Sequence, residues 1–235
     1  DGTYSTALDP NKTVIGIVFQ TDKSRIGQAE KDALGGEDKV HGLVMSVKNA
    51  WTPLPWSTEQ KDFGDLTNCD TKKQNYADIS GLNNYNTVID YAKGEGKLSS
   101  YPAFEAVDKW NADGSEHKTP ENTTGWYLPA IGQWWDILQN LGGCPDLADN
   151  GQQTSQDQGD FKWSGQGDDV PAALNAWMEK IAADGKDNFN SGEWFWSSSE
   201  FLDNDARFWG VSAGVVECYF NGKNYYRGVR PVLAF

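Results

Sequence analysis

Basic charge, sulfur and long apolar runs are all in short supply in this 235-residue sequence, and each shortage excludes a class of function. Lys and Arg number 20 against 34 Asp and Glu, a formal net charge of −14. A surface of that sign repels phosphate backbones and anionic lipid, which argues against nucleic-acid and membrane-surface partners. No apolar stretch approaches the ~20 residues that span a bilayer, so no membrane insertion by this domain is expected. Two His and three Cys, widely scattered, offer no zinc spacing, and no metal or other cofactor is expected. Cys69, Cys144 and Cys218 do not make a disulfide framework. Three independent small thiols are the main reading, with a Cys69–Cys144 bridge left open. The Asp-Gly-Thr-Tyr start lacks an initiator Met and a signal peptide, and reads as a mature form or a piece of a longer protein.

Aromatic side chains are what the sequence has in quantity: 11 Trp, 10 Phe and 9 Tyr. Their size lets few residues fill an interior. With 25 Gly and many Asn, Asp, Gln and Ser, much of the chain is expected to be loop. The length fits a single domain spanning 1–235, with loop-rich insertions at 51–100 and 146–190.

Thr13–Phe19 and Gly42–Lys48 are short β-branched apolar runs and predict an antiparallel pair. Residues 51–100 show little periodicity and predict a long ordered loop. Pro102 opens a helix with Ala103, Phe104, Val107 and Trp110 facing inward. Pro129 opens a second, with Ile131, Trp134, Trp135, Leu138 and Leu141 on one face, stopped by Gly142-Gly143. Asp146–Asp169 reads as a polar insertion loop, followed by a third helix over about Pro171–Ala183 on Leu174, Trp177, Met178 and Ile181. Trp194–Ser198, Ala206–Ser212, Val215–Phe220 and Val229–Ala234 predict a strand meander, with Asn221-Gly222 as a hairpin turn. The fold class is therefore α+β, with helices packed on one side of an antiparallel sheet.

Catalytic motifs are weak. Gly210-Val-Ser-Ala-Gly214 matches a nucleophile elbow, but that motif needs a following helix and a later His. Here a strand follows, and His41 and His117 both lie upstream. Gly94-Glu-Gly-Lys97 lacks the remaining residues of a P-loop. Asp203-Asn-Asp205 lacks the glycine and distal Glu of a calcium loop. No enzymatic activity is expected.

The stretch 201–228 is left unexplained by core packing. If Trp209 and Val211 face inward, period-two alternation sends Phe208, Gly210 and Ser212 outward. Tyr219, Phe220, Asn221, Asn224, Tyr225 and Tyr226 crowd around the expected hairpin, a composition suited to binding: rigid amphipathic rings beside adaptable amides. Phe201, Asn204 and Arg207 complete the candidate ligand-contacting surface, Arg207 and the amides giving directional polar contacts. The competing reading is an aromatic-rich edge packed on its own helices.

Gly125-Trp-Tyr-Leu-Pro129, the Trp-bearing helix after it, Phe195-Trp-Ser-Ser-Ser-Glu200 and the terminal Gly228-Val-Arg-Pro-Val-Leu-Ala-Phe235 form an ordered set. That set resembles the C-type-lectin-fold variable proteins of diversity-generating retroelements, over residues 100–235 and more loosely to the N-terminus. The resemblance implies a scaffold with two main helices, an insertion carrying a third, and paired first and last strands. It also implies that about 201–228 is diversified by adenine mutagenesis, with Trp209, Val211 and Gly214 fixed. Asn codons mutated at adenine cannot yield Trp, Met, Gln, Lys or Glu, and only Trp209, Glu217 and Lys223 break that rule there. Formylglycine-generating enzymes share the fold but use paired cysteines, of which only Cys218 lies near the end. The implied function is recognition of a protein or glycan on another cell, at a Gram-negative surface or on a phage. The alternative is a structural or assembly module of a surface fibre or pilus with no diversified site.

Overall fold

In the computed structural model, residues 4–7, 9, 11–147, 158–165 and 167–235 are described, Thr52 by its backbone alone. The strands are β1 (Gly16–Gln20), β2 (Leu43–Ser46), β3 (Trp51–Pro55), β4 (Phe161–Ser164), β5 (Glu193–Leu202), β6 (Asp205–Ser212), β7 (Val215–Gly222), β8 (Tyr226–Val229) and β9 (Val232–Ala234). The helices are α1 (Gln28–Ala33), α2 (Lys72–Ala77), α3 (Gly81–Gly94), α4 (Pro102–Asn111), α5 (Ile131–Asn140) and α6 (Val170–Ala176). The strands form a three-stranded sheet in the order β1-β2-β9 and a six-stranded sheet in the order β3-β8-β5-β6-β7-β4. All pairings are antiparallel except β5 with β8. The class is α+β.

Two of the three helices expected from apolar spacing form at the expected positions. In α4, Ala103, Phe104, Val107 and Trp110 are buried; in α5, Ile131, Trp134, Trp135 and Leu138 are. A helix start leaves backbone N–H groups without partners inside the helix. At α5 the Gln133 side chain accepts from Ala130 N at 3.0 Å, and Ser199 Oγ, brought in by β5, accepts from Ile131 N at 2.9 Å. Gly132 lets α2 approach: a Cβ there would stand 2.5 Å from the Asp78 carbonyl and 2.6 Å from that of Tyr76.

Several expectations are corrected. Residues 51–100 are not a loop region, since they hold β3, α2 and α3. The α3 helix buries Leu82, Tyr85, Val88, Ile89 and Ala92, a helical period diluted by Asn and Gly. The third expected helix ends at Ala176, and Trp177 turns outward with its indole N–H donating to the Leu141 carbonyl at 3.2 Å. Much of the expected insertion at 146–169 lies outside the described residues, but its end is β4, paired with β7. The last strand lies beside β2 and not beside the first: β2 is central, with β1 and β9 on its flanks. Val229–Ala234 is two strands in different sheets, broken at Arg230-Pro231. Asn221-Gly222 is no hairpin turn either. Both residues lie within β7, opposite Ala206 and Asp205, and the chain then crosses to β8 between β3 and β5. The three cysteines are free and buried, so no Cys69–Cys144 bridge forms.

The inner face of the six-stranded sheet packs on α5. Trp209 donates through Nε1 to the Ile131 carbonyl at 3.1 Å, and Trp134 to the Trp196 carbonyl at 3.1 Å. Trp135 meets Trp209 edge to face at 5.7 Å. Each buried indole N–H thus has a partner where burial without one is costly, except Trp135, whose Nε1 has none.

Candidate functional site

Period-two alternation puts Phe195, Arg207 and Trp209 on the inner side of the sheet and Trp194 and Phe208 on the outer side. The outer side is not bare. Trp194 stacks on Phe208 with centroids 5.3 Å apart and planes at 21°. The Arg227 guanidinium lies 4.5 Å from the Trp194 ring and 4.6 Å from that of Phe208, a cation–π arrangement on both. Gly210 gives the indole its bed, because a Cβ there would meet Trp194 Cδ1 and Nε1 at 3.0 Å. Beyond it, Lys162 pairs with Glu217 across β4 and β7 at 2.8 Å. Phe208 and Gly210 are therefore buried, against the expectation that they face solvent, and Ser212 is half-buried.

Arg207 departs furthest from expectation. It is fully buried, with Nε donating to the Cys69 carbonyl at 2.7 Å and Nη1 to Asp160 at 2.7 Å. Its Nη2 donates to the Gln158 carbonyl. The guanidinium also lies 4.5 Å from the ring of Phe201, which stacks on Phe220 at 3.9 Å. Arg207 and Phe201 therefore clamp the meander to the segments at 69 and 158–160 and do not face a ligand. The alternation already held the signal: Arg207 shares the parity of Trp209 and Val211. Tyr219, Phe220 and Asn221 are half-buried.

The members of the expected surface that do reach solvent gather at one rim. Asn204 lies in the β5–β6 turn, and Asn224, Tyr225 and Tyr226 at the crossover into β8. Lys223 N donates to the Asn204 carbonyl at 2.8 Å and ties the two turns together. Tyr225 is 53% and Tyr226 62% exposed, and the 38%-exposed Trp194 continues the aromatic surface through Arg227.

Beneath that rim is a buried ion pair absent from the sequence reading. The Lys223 ammonium donates to Glu200, to the Lys61 carbonyl at 2.6 Å and to the Asp203 carbonyl at 2.8 Å, beneath the Trp56 ring at 4.8 Å. Glu200 Oε2 accepts from Phe63 N at 3.2 Å. Burial pushes the Glu200 carboxyl up to about 7, against the pull of Lys223, and pushes Lys223 down. Nothing in the spacing of Glu200 and Lys223 announces the pair.

The Arg of the terminal Val-Arg-Pro is likewise internal. Arg230 donates to the carbonyls of Ser46 at 3.2 Å and Asp187 at 2.8 Å and packs over Phe189. The Gly210–Gly214 motif forms the end of β6 and its turn into β7. Among the described residues no cluster of three or more His, Cys, Asp or Glu is arranged to hold a metal, and no helix is long and apolar enough to cross a membrane.

Comparison with known proteins gives one informative likeness. The crystal structure of a fimbrial protein from Bacteroides ovatus superposes on the whole of this chain with a TM-score of 0.60 at 18% sequence identity. The match covers 46% of that protein, so the chain spans under half of its length. At that identity the likeness concerns the fold. No protein-family model matches the chain, and no curated protein does.

Proposed function

We propose that this chain is a rigid, non-catalytic module of an extracellular surface fibre, making its contacts through the rim of Asn204, Asn224, Tyr225 and Tyr226. The observation that carries the reading is the fold shared with a fimbrial protein along the chain's entire length. The rim supports it: large rings and amides stand on a frame locked by the Lys223–Glu200 and Arg207–Asp160 pairs. Immunogold labelling of intact cells that make the protein tests this. Label along fibres, removed by brief surface proteolysis, is expected; label confined to the cell interior would sink the proposal.

A second reading is favoured by the exposure of Tyr225 and Tyr226 themselves. In it the rim recognises a protein or glycan on another cell, as the resemblance to C-type-lectin-fold variable proteins implies. Diversification in this reading falls on Asn204, Asn224, Tyr225 and Tyr226, since Phe201, Arg207, Phe208 and Gly210 are packing positions. A neighbouring reverse transcriptase gene with a template repeat differing at adenines supports it, and a locus without them leaves a fixed fibre module.

A further inference from the structure

A second surface lies away from the rim. Where β3, the end of α4 and the segment before β5 meet, there is an open groove of about 730 Å³. We infer that this groove binds a neutral saccharide, seated on the exposed Trp51 indole and held by the amide and carboxylate groups along its walls.

The chemistry of the walls selects the ligand. Trp51 is 61% exposed and offers a broad apolar plane. Trp110, which also lines the groove, is stacked on His117 with centroids 4.0 Å apart and planes at 22°. A pyranose ring has one apolar C–H face that lies on such a plane, with hydroxyl groups projecting from its edge. Those hydroxyls each donate and accept, and planar amides and carboxylates are their natural partners. Asn49, Asp187, Asn190 and Glu193 supply them.

The wall around Asp187 is fixed by hydrogen bonds to neighbouring segments. Asp187 is held at three points: its N–H donates to the Val47 carbonyl at 2.9 Å, its carbonyl accepts from Arg230 at 2.8 Å, and its carboxylate accepts from Asn49 N at 2.8 Å. Asn190 Nδ2 donates to Glu193 at 2.8 Å. A preorganised wall loses little freedom when a ligand docks. Charge sets the limit on the ligand. Lys186 aims its ammonium at the Met178 carbonyl, 2.6 Å away, while burial lowers the His117 pKa and favours a neutral ring. Asp187 and Glu193 outnumber Lys186 on the walls, which disfavours phosphorylated or acidic sugars.

The test is saturation-transfer NMR and calorimetry on the whole chain, in EDTA, with cellotriose, maltotriose, chitotriose, mannotriose and lactose as probes. At least one is expected to bind, with roughly tenfold or greater loss of affinity in Trp51→Ala, a loss typical of removing a central aromatic anchor. Asn190→Ala should weaken the same probe, and both variants should keep the wild-type melting temperature. Tyr225→Ala with Tyr226→Ala should leave saccharide binding intact. No binding to any probe, binding lost in EDTA, or binding removed by the tyrosine variant and not by Trp51→Ala or Asn190→Ala, overturns the inference.

Discussion

Lys223 and Glu200 are ion-paired with both side chains sealed from water. Their backbones belong to different parts of the sheet, Glu200 on β5 and Lys223 at the crossover from β7 to β8. The pair is the pin on which the crossover turns.

Removing one partner leaves the other buried and uncompensated. Glu200→Gln is expected to cost about 3–5 kcal/mol, measured by urea unfolding. Replacing both residues, as Glu200→Leu with Lys223→Met, should cost less than the single change. A single variant as stable as wild type would show that the pair is not closed in solution.

Arg207 gives a sharper contrast between reading and structure. As a ligand contact, Arg207→Ala would weaken binding and leave folding alone. Buried among Asp160, the Cys69 carbonyl and two phenyl rings, it is expected to lower stability by about 3 kcal/mol or more. Circular-dichroism melts decide between the two.

Tyr225 and Tyr226 should behave in the opposite way. Their joint replacement by Ala is expected to change unfolding free energy by about 0.5 kcal/mol or less, as for ordinary surface positions. The same variant should impair fibre assembly or cell attachment. A large fall in melting temperature would mark the rim as structural.

Asp136 sets a pH dependence. Burial lifts its carboxyl from 3.8 to about 6, although Arg25 Nε lies 3.1 Å away. A folded value above the unfolded one means that folding retains a proton in this window. The contribution is fully present below about pH 4 and lost as pH rises through about 6. Denaturation series on wild type and Asp136→Asn should diverge across that window, with wild type losing ground as pH rises. Parallel curves would contradict the assignment.

What was legible in the sequence follows from the range of the interactions involved. The α4 and α5 helices announce themselves because Pro102, Pro129 and the aromatic spacing act within a few residues. Strands β5 to β7 show their alternation for the same reason. The α3 helix hides because Asn83, Asn84, Asn86 and two terminal glycines dilute its apolar face. Asn221-Gly222 has the chemistry of a hairpin, yet long-range pairing of β8 with β3 overrides that local preference. For the candidate site, alternation names the inner and outer residues of β6 correctly. It fails only in equating outer with exposed, since Trp194 and Arg227 roof Phe208. The Lys223–Glu200 pair depends on a crossover that no local pattern encodes.

The roof over the sheet's outer side also limits which positions can vary without unfolding the domain. With both broad faces tiled by rings and guanidinium groups, substitutions there disturb folding before they alter any contact. On this sheet, the two turns joined by the Lys223 N–H to Asn204 carbonyl bond are cheap places to edit. With the rim as the proposed contact surface, variation in what descendants of this chain touch is expected at that narrow lip, while the broad panels behind it drift slowly.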